Sequence, residues 1–172
     1  MQTPPLLIRI IIFCILICTA CGQGDQSSKY LRWVGDSEFN PEMDSEEFQL
    51  CNSEYLSKQY FHFDKGLQYK GEKKELRNHF AKNYTPVESD QCGYVRIRFM
   101  VNCKGETGRF RIIESDENYN EREFDKRITD QLLSITKSLD GWIGHTKKDK
   151  PQDYYQYLIF KINKGQIIDI MP

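Results

Sequence analysis

Three histidines, six cysteines and a cluster of four arginines are the side chains of this chain with chemistry to offer. His62, His79 and His145 stand far apart, and only His62, followed by Asp64, has a second ligand type nearby. A metal centre needs three or four donors at short spacing, and paired C-x-x-C ligands are missing. The sequence carries no G-x-S-x-G elbow, no H-E-x-x-H and no glycine-rich phosphate loop. These histidines therefore read as surface or packing residues, and the chain as a non-enzyme with no catalytic residue, metal or cofactor. Cys103, in a turn, reads as a nucleophile or as a disulfide half. The chemistry that remains is that of binding: thiols that can be bridged or acylated, and guanidinium groups suited to carboxylates or phosphates.

Cys21 is the first such thiol. One basic residue, Arg9, precedes an apolar run from Ile10 to Cys18, and Thr19-Ala20-Cys21 lead into the polar stretch Gly22–Ser28. The run falls short of the ~20 apolar residues that span a bilayer and reads as a signal peptide, residues 1–20. Its end resembles the lipobox of bacterial lipoproteins, with Cys18 where leucine is usual. That resemblance implies lipidation of Cys21, attachment to a membrane by lipid, and export. Ordinary signal cleavage before Cys21 is the rival reading. Gly22, in place of an aspartate after the cysteine, points to the periplasmic face of the outer membrane.

Without residues 1–20 the chain loses one of its 24 basic residues and none of its 25 acids, for a net charge of 23 − 25 = −2. A near-neutral domain lacks the basic excess that nucleic acid requires. With 13% aromatic and 28% charged residues the composition suits one small folded domain with an aromatic core. Residues 21–50 read as a tether and acidic linker, and 51–172 as the domain. Between Asp36 and Leu50 lie six acids and no basic residue.

If Cys21 is acylated, Cys51, Cys92 and Cys103 remain. Cys92 and Cys103 flank one predicted strand and would stand ~36 Å apart at strand rise, beyond disulfide reach. Cys51 is then expected to pair with Cys92 or with Cys103. Without acylation, four cysteines can form two bridges.

The elements follow from periodicity. Tyr60–Phe63 reads as a short strand. Leu76, Phe80 and Tyr84 recur every four residues, a helix over Gly71–Asn83 that stops before Pro86. Val95, Ile97, Phe99 and Val101 alternate with Tyr94, Arg96, Arg98 and Met100, and a turn over Asn102–Glu106 leads to a second strand, Arg109–Glu114, with Phe110 and Ile112 inward. A helix is expected from Asn120, with Glu123 completing a capping box, the stripe Phe124, Ile128, Leu132, Ile135 and Leu139, and Gly141 as its cap. Tyr154–Asn163 reads as the last long strand, with Lys164-Gly165 turning into Ile167–Ile170. The order gives an α+β domain: an antiparallel three- to four-stranded sheet with two helices packed on one face.

This order and pattern resemble the C-terminal domain of the TonB family over roughly residues 70–171. Gly93, Val95, Ile97, Phe99, Val101, Asn102 and Gly105 resemble its glycine-led strand and turn, Phe124–Leu133 its helix, Trp142 its post-helix tryptophan, Tyr157–Ile162 its last strand, and Tyr84-Thr85-Pro86 its Tyr-Pro. The family's inner-membrane helix and proline-rich segment have no counterpart here. The resemblance thus implies an adaptor that binds an envelope protein, such as an outer-membrane transporter, without transducing energy. It also implies that an extended partner segment adds to the last strand, with Tyr154, Tyr155, Tyr157, Ile159 and Lys161 as binding residues, unless Ile167–Ile170 folds back and occupies that edge. The alternative is a structural envelope lipoprotein that has lost partner binding.

Arg96, Arg98, Arg109 and Arg111 all point away from the predicted core and form a cationic sheet face. The face reads as a solvated one balanced by nearby acids, or as a site for carboxylates or phosphates; an intramolecular version, with the acidic stretch Asp36–Glu47 across it, is a further hypothesis that rests on charge complementarity.

Overall fold

The computed structural model describes residues 39–52, 58–63 and 66–171. The expected signal peptide, Cys21 and the first part of the expected tether lie outside the described residues, as does the side chain of His62.

The alternating segment becomes β2 (Cys92–Val101) because its apolar set faces one way: Val95, Ile97, Phe99 and Val101 are fully buried. β2 is flanked by β3 (Thr107–Ser115) and by β6 (Tyr154–Asn163), both antiparallel to it. The chain turns at Lys164-Gly165, and β7 (Gln166–Met171) runs back along Ile159–Asn163 of β6. The first two described residues of the next segment, Lys58–Gln59, form a short β1 parallel to Tyr154-Tyr155 on that same flank. β4 (His145–Lys147) and β5 (Lys150–Gln152) make a separate small hairpin.

Two helices cover one face of this sheet. α1 (Glu72–Asn83) contributes Leu76 and Phe80, and α2 (Lys126–Lys137) contributes Ile128, Leu132 and Ile135. These join Val95, Ile97, Phe99, Leu158, Phe160 and Ile162 in one core, with Phe80 against Phe160 at 4.8 Å between ring centres. Trp142 closes one end, edge-on to Phe99 at 5.1 Å and to Tyr69 at 4.8 Å. The fold is α+β, with four antiparallel strands and two helices.

Three local expectations fail for local reasons. Tyr60–Phe63 is a 3-10 helix rather than a strand; the strand residues are Lys58–Gln59, just before it. α2 starts at Lys126, not Asn120, because Asn120 is engaged by Asp116. The Asp116 carboxylate accepts the Asn120 and Asn118 amides at 2.8 Å each, and Asp125 caps the helix through the Arg127 amide at 2.9 Å. Gly141 is not the cap of α2, whose C-cap is Ser138; it sits against the Tyr69 ring, where a side chain would collide.

The Lys164-Gly165 turn decides which strand is the edge. Both residues have positive φ (48° and 73°), as a tight hairpin of the mirror-image type demands. A Cβ on Gly165 would also run into the Val87 carbonyl, whose own amide bonds the Gly165 carbonyl at 3.2 Å. Gly165→Val should therefore lower stability by at least about 2 kcal/mol, from left-handed strain plus the clash. Chemical denaturation of the purified variant reads this directly.

Candidate functional site

β6 is not an edge. β2 pairs with it from Tyr154 to Asn163, and its other flank is taken by β1 at Tyr154-Tyr155 and by β7 from Ile159 to Asn163. The expected partner-strand residues Tyr154, Tyr155, Tyr157, Ile159 and Lys161 thus lie on an interior strand, the case in which that expectation shifts to the new edge: the tight turn brings the chain's own next strand there first. Tyr154 belongs to the core, fully buried, its hydroxyl donating to the Ile143 carbonyl at 3.0 Å. Tyr155, Tyr157, Ile159 and Lys161 alternate with the buried residues of β6 and face away from the helices.

β7 now borders the sheet, with β6 as its partner among the described strands. A cleft of about 490 Å³ runs between it and α1, lined by Arg77, Phe80, Ala81, Tyr84, Ile168 and Ile170 among others. Ile168 is an extra residue in the β6–β7 register, and half of it is exposed. Next to it, the Asp169 carboxylate accepts the Ile170 amide at 2.8 Å and pairs with Arg77 of α1. The Arg77 hydrogen bond holds the Asp169 carboxyl below the ordinary carboxylate range.

The open face of the sheet carries the arginines. Arg98 stands directly across from Arg111, with Arg96 two residues along β2. Arg98 lies over the Tyr155 ring at 5.3 Å, and Arg96 over Tyr119 at 5.6 Å, which itself stacks on Tyr94 at 5.1 Å. Arg109 departs from the strand geometry: its φ is +55°, and Arg109-Phe110 together oppose Phe99. The bulge breaks, at Arg109, the strict alternation that period-two reasoning assumed.

The acidic segment does reach this face. Asp44 meets Arg111 in a two-bonded fork at 2.7 and 2.8 Å, and both side chains are nearly buried, 1% and 11% exposed. That fork, more than any other contact, lowers the Asp44 pKa. Four residues on, the Phe48 ring packs against Gly108, where any Cβ would strike it. Met100, directly across from Gly108, is buried although it points to the open face. Strand alternation alone had placed Met100 outward in solvent.

The segment ends at a second anchor. Cys51 is bonded to Cys103, with their Cα atoms 5.9 Å apart, and Cys92 is the free cysteine among the described residues. Beside the bridge, the buried Asp153 carboxylate accepts the amides of Cys51 (3.1 Å), Asn52 (2.9 Å) and Cys103 (3.1 Å). Asn102 donates to the Gln49 carbonyl at 3.0 Å while its own oxygen organises the Lys104 and Glu106 amides. A charge this deeply buried is tolerated because three donors surround it. The Asp153 role had no signal in the sequence beyond an acid one residue ahead of a strand.

The two histidines whose side chains are described, His79 and His145, take packing partners. His79 contacts the Ser138 hydroxyl at 3.2 Å, and His145 bonds Gln68 and packs edge-on against Tyr154. Among the described residues, no group of three or more His, Cys, Asp or Glu is placed to hold a metal ion. Compared with known protein families, characterised proteins and solved structures, the chain matches none.

Two outcomes follow from this site. Removing the bridge with Cys51→Ser/Cys103→Ser should cost up to about 4 kcal/mol, the loop-entropy value for a separation of 52 residues, read by urea denaturation. Asp44 has its folded pKa below the ordinary value of 3.8, so its contribution is complete above that value and is lost as pH falls through the lowered one. Asp44→Asn should flatten the fall in melting temperature below about pH 4 relative to wild type.

Proposed function

We propose that this chain is an exported, lipid-anchored cell-envelope protein whose TonB C-terminal-like domain is a non-enzymatic adaptor. It binds an extended segment of an envelope protein, such as an outer-membrane transporter, by adding it as a strand to β7. The single observation that carries the reading is the position of β7, at the border of the sheet beside the cleft under α1. An incoming strand would pair with the outer backbone of Gln166–Met171 and set alternate apolar side chains over Phe80, Ala81 and Ile170. Lipid at Cys21 would supply membrane attachment. No helix among the described residues is long and apolar enough to cross a bilayer.

One observation favours the alternative, a structural envelope lipoprotein without a partner strand. Asp169 already satisfies the Ile170 amide, and the extra residue Ile168 bends the strand, both devices by which proteins blunt a sheet edge. On the adaptor reading, the partner strand's carbonyl displaces the Asp169 carboxylate at that rung.

A crosslinked pull-down from envelope extracts separates the two. The baits are the full-length protein and Ile168→Pro, which removes an amide from the border strand. The adaptor reading expects envelope proteins captured by the first bait and lost with the second, while both baits melt as folded proteins. Equal capture by both, or none by either, contradicts it and supports the structural alternative.

A further inference from the structure

The open face of β2 and β3 has a built site for one kind of ligand, and the chain itself displays what that ligand is. Arg98 and Arg111 are directly opposite on adjacent strands, an arrangement that like charges disfavour unless an anion joins them. Asp44 supplies an anion to Arg111, received by both N–H groups of its fork, while Arg98 lies over the Tyr155 ring. Arg109, at the bulge, adds a second positive charge toward the same carboxylate. Next to this lies an aromatic seat, made by the absence of a side chain at Gly108 and floored by Met100. Phe48 fills it.

Residues 44–48 are thus a carboxylate, three intervening residues and an aromatic ring, laid on a face that fits both ends. Around these two anchors the segment carries exposed side chains. Phe39 and Met43 are 42% and 60% exposed, and Glu42, Glu46 and Glu47 are exposed as well. From Gln49 onward the Asn102 bond and the Cys51–Cys103 bridge add further ties.

We propose that the Arg111–Gly108 face is a docking surface for acidic protein segments of the form carboxylate, three residues, aromatic, and that residues 44–48 occupy it in cis. The segment competes as an intramolecular ligand at the millimolar effective concentration typical of a short tether, so a partner binds only by displacing it. Arg111 selects the carboxylate through its planar fork, and Gly108 selects the ring because any larger residue would fill the seat. The inference is independent of strand addition at β7, which uses the opposite border of the sheet.

The test uses the full chain with its disulfide intact and Asp44→Ala/Phe48→Ala, which empties the site. The probe is a fluorescein-labelled synthetic peptide of residues 39–50, followed by anisotropy. The emptied variant should bind the probe at least about tenfold more tightly than wild type, whose own segment competes. Adding Arg111→Gln should return binding to the wild-type level or below. Should the double variant lose its cooperative melt, Asp44→Asn alone is used, with the same expected direction. A folded variant that binds the probe no better than wild type, or that binds equally with Arg111→Gln, overturns the proposal and leaves the segment a structural strap.

Discussion

The structure depends on β6 satisfying both of its backbone flanks from within one short chain. A strand buried in a sheet leaves no amide without a partner, because an unpaired buried group costs as much as a lost hydrogen bond. β2 serves one flank along its whole length; on the other, β1 pairs with Tyr154-Tyr155 and β7 with Ile159–Asn163. These two pairings need different devices. β7 is delivered by a two-residue turn that only positive φ at Lys164 and Gly165 permits. Immediately before β6, Asp153 gathers the amides of Cys51, Asn52 and Cys103, so the start of the strand also locates the lead-in and the β2–β3 turn.

From that frame the two faces of the sheet acquire different characters. The inner face is apolar and closed by α1 and α2. The open face is a mixture of guanidinium groups and aromatic rings, partly covered by the acidic lead-in. The pairing of Asp44 with Arg111 contributes little net stability for a buried ion pair, since desolvation offsets most of the attraction. What it contributes is position: it lays Phe48 over Gly108 and Met100 and gives the lead-in one register on the sheet.

Much of this was legible in the residues. β2 alternates strictly, so its buried face follows from period two up to Met100, whereas in β6 the limits Tyr154–Asn163 were legible but the burial of Gln156 was not. The stripe Phe124, Ile128, Leu132, Ile135 and Leu139 is buried as a helical face predicts. Charge complementarity pointed the acidic stretch at the arginine face, where Asp44 meets Arg111. Other features depend on tertiary contacts that no local pattern encodes. The capping-box spacing at Asn120 is real, but Asp116 competes for Asn120 and wins. Met100 is buried across from Gly108, the residue on which Phe48 of the lead-in packs. The bulge at Arg109 exists because β3 carries one more residue than β2 opposite it, a count visible only once the strands are paired. The choice of Cys103 over Cys92 as partner of Cys51 follows from where the lead-in runs.

Residue-resolved amide hydrogen exchange on the folded, oxidised protein tests the central claim that β6 is interior and β7 borders the sheet. Between Ile159 and Asn163 the account predicts slow exchange at every amide, because alternate groups bond β2 and β7. Along β7 it predicts that amides directed away from β6 exchange far faster, with Ile170 slowed by the Asp169 carboxylate. If alternate β6 amides in that span exchange as freely as loop amides, β6 is itself an edge, and the assignment of the binding border to β7 is wrong.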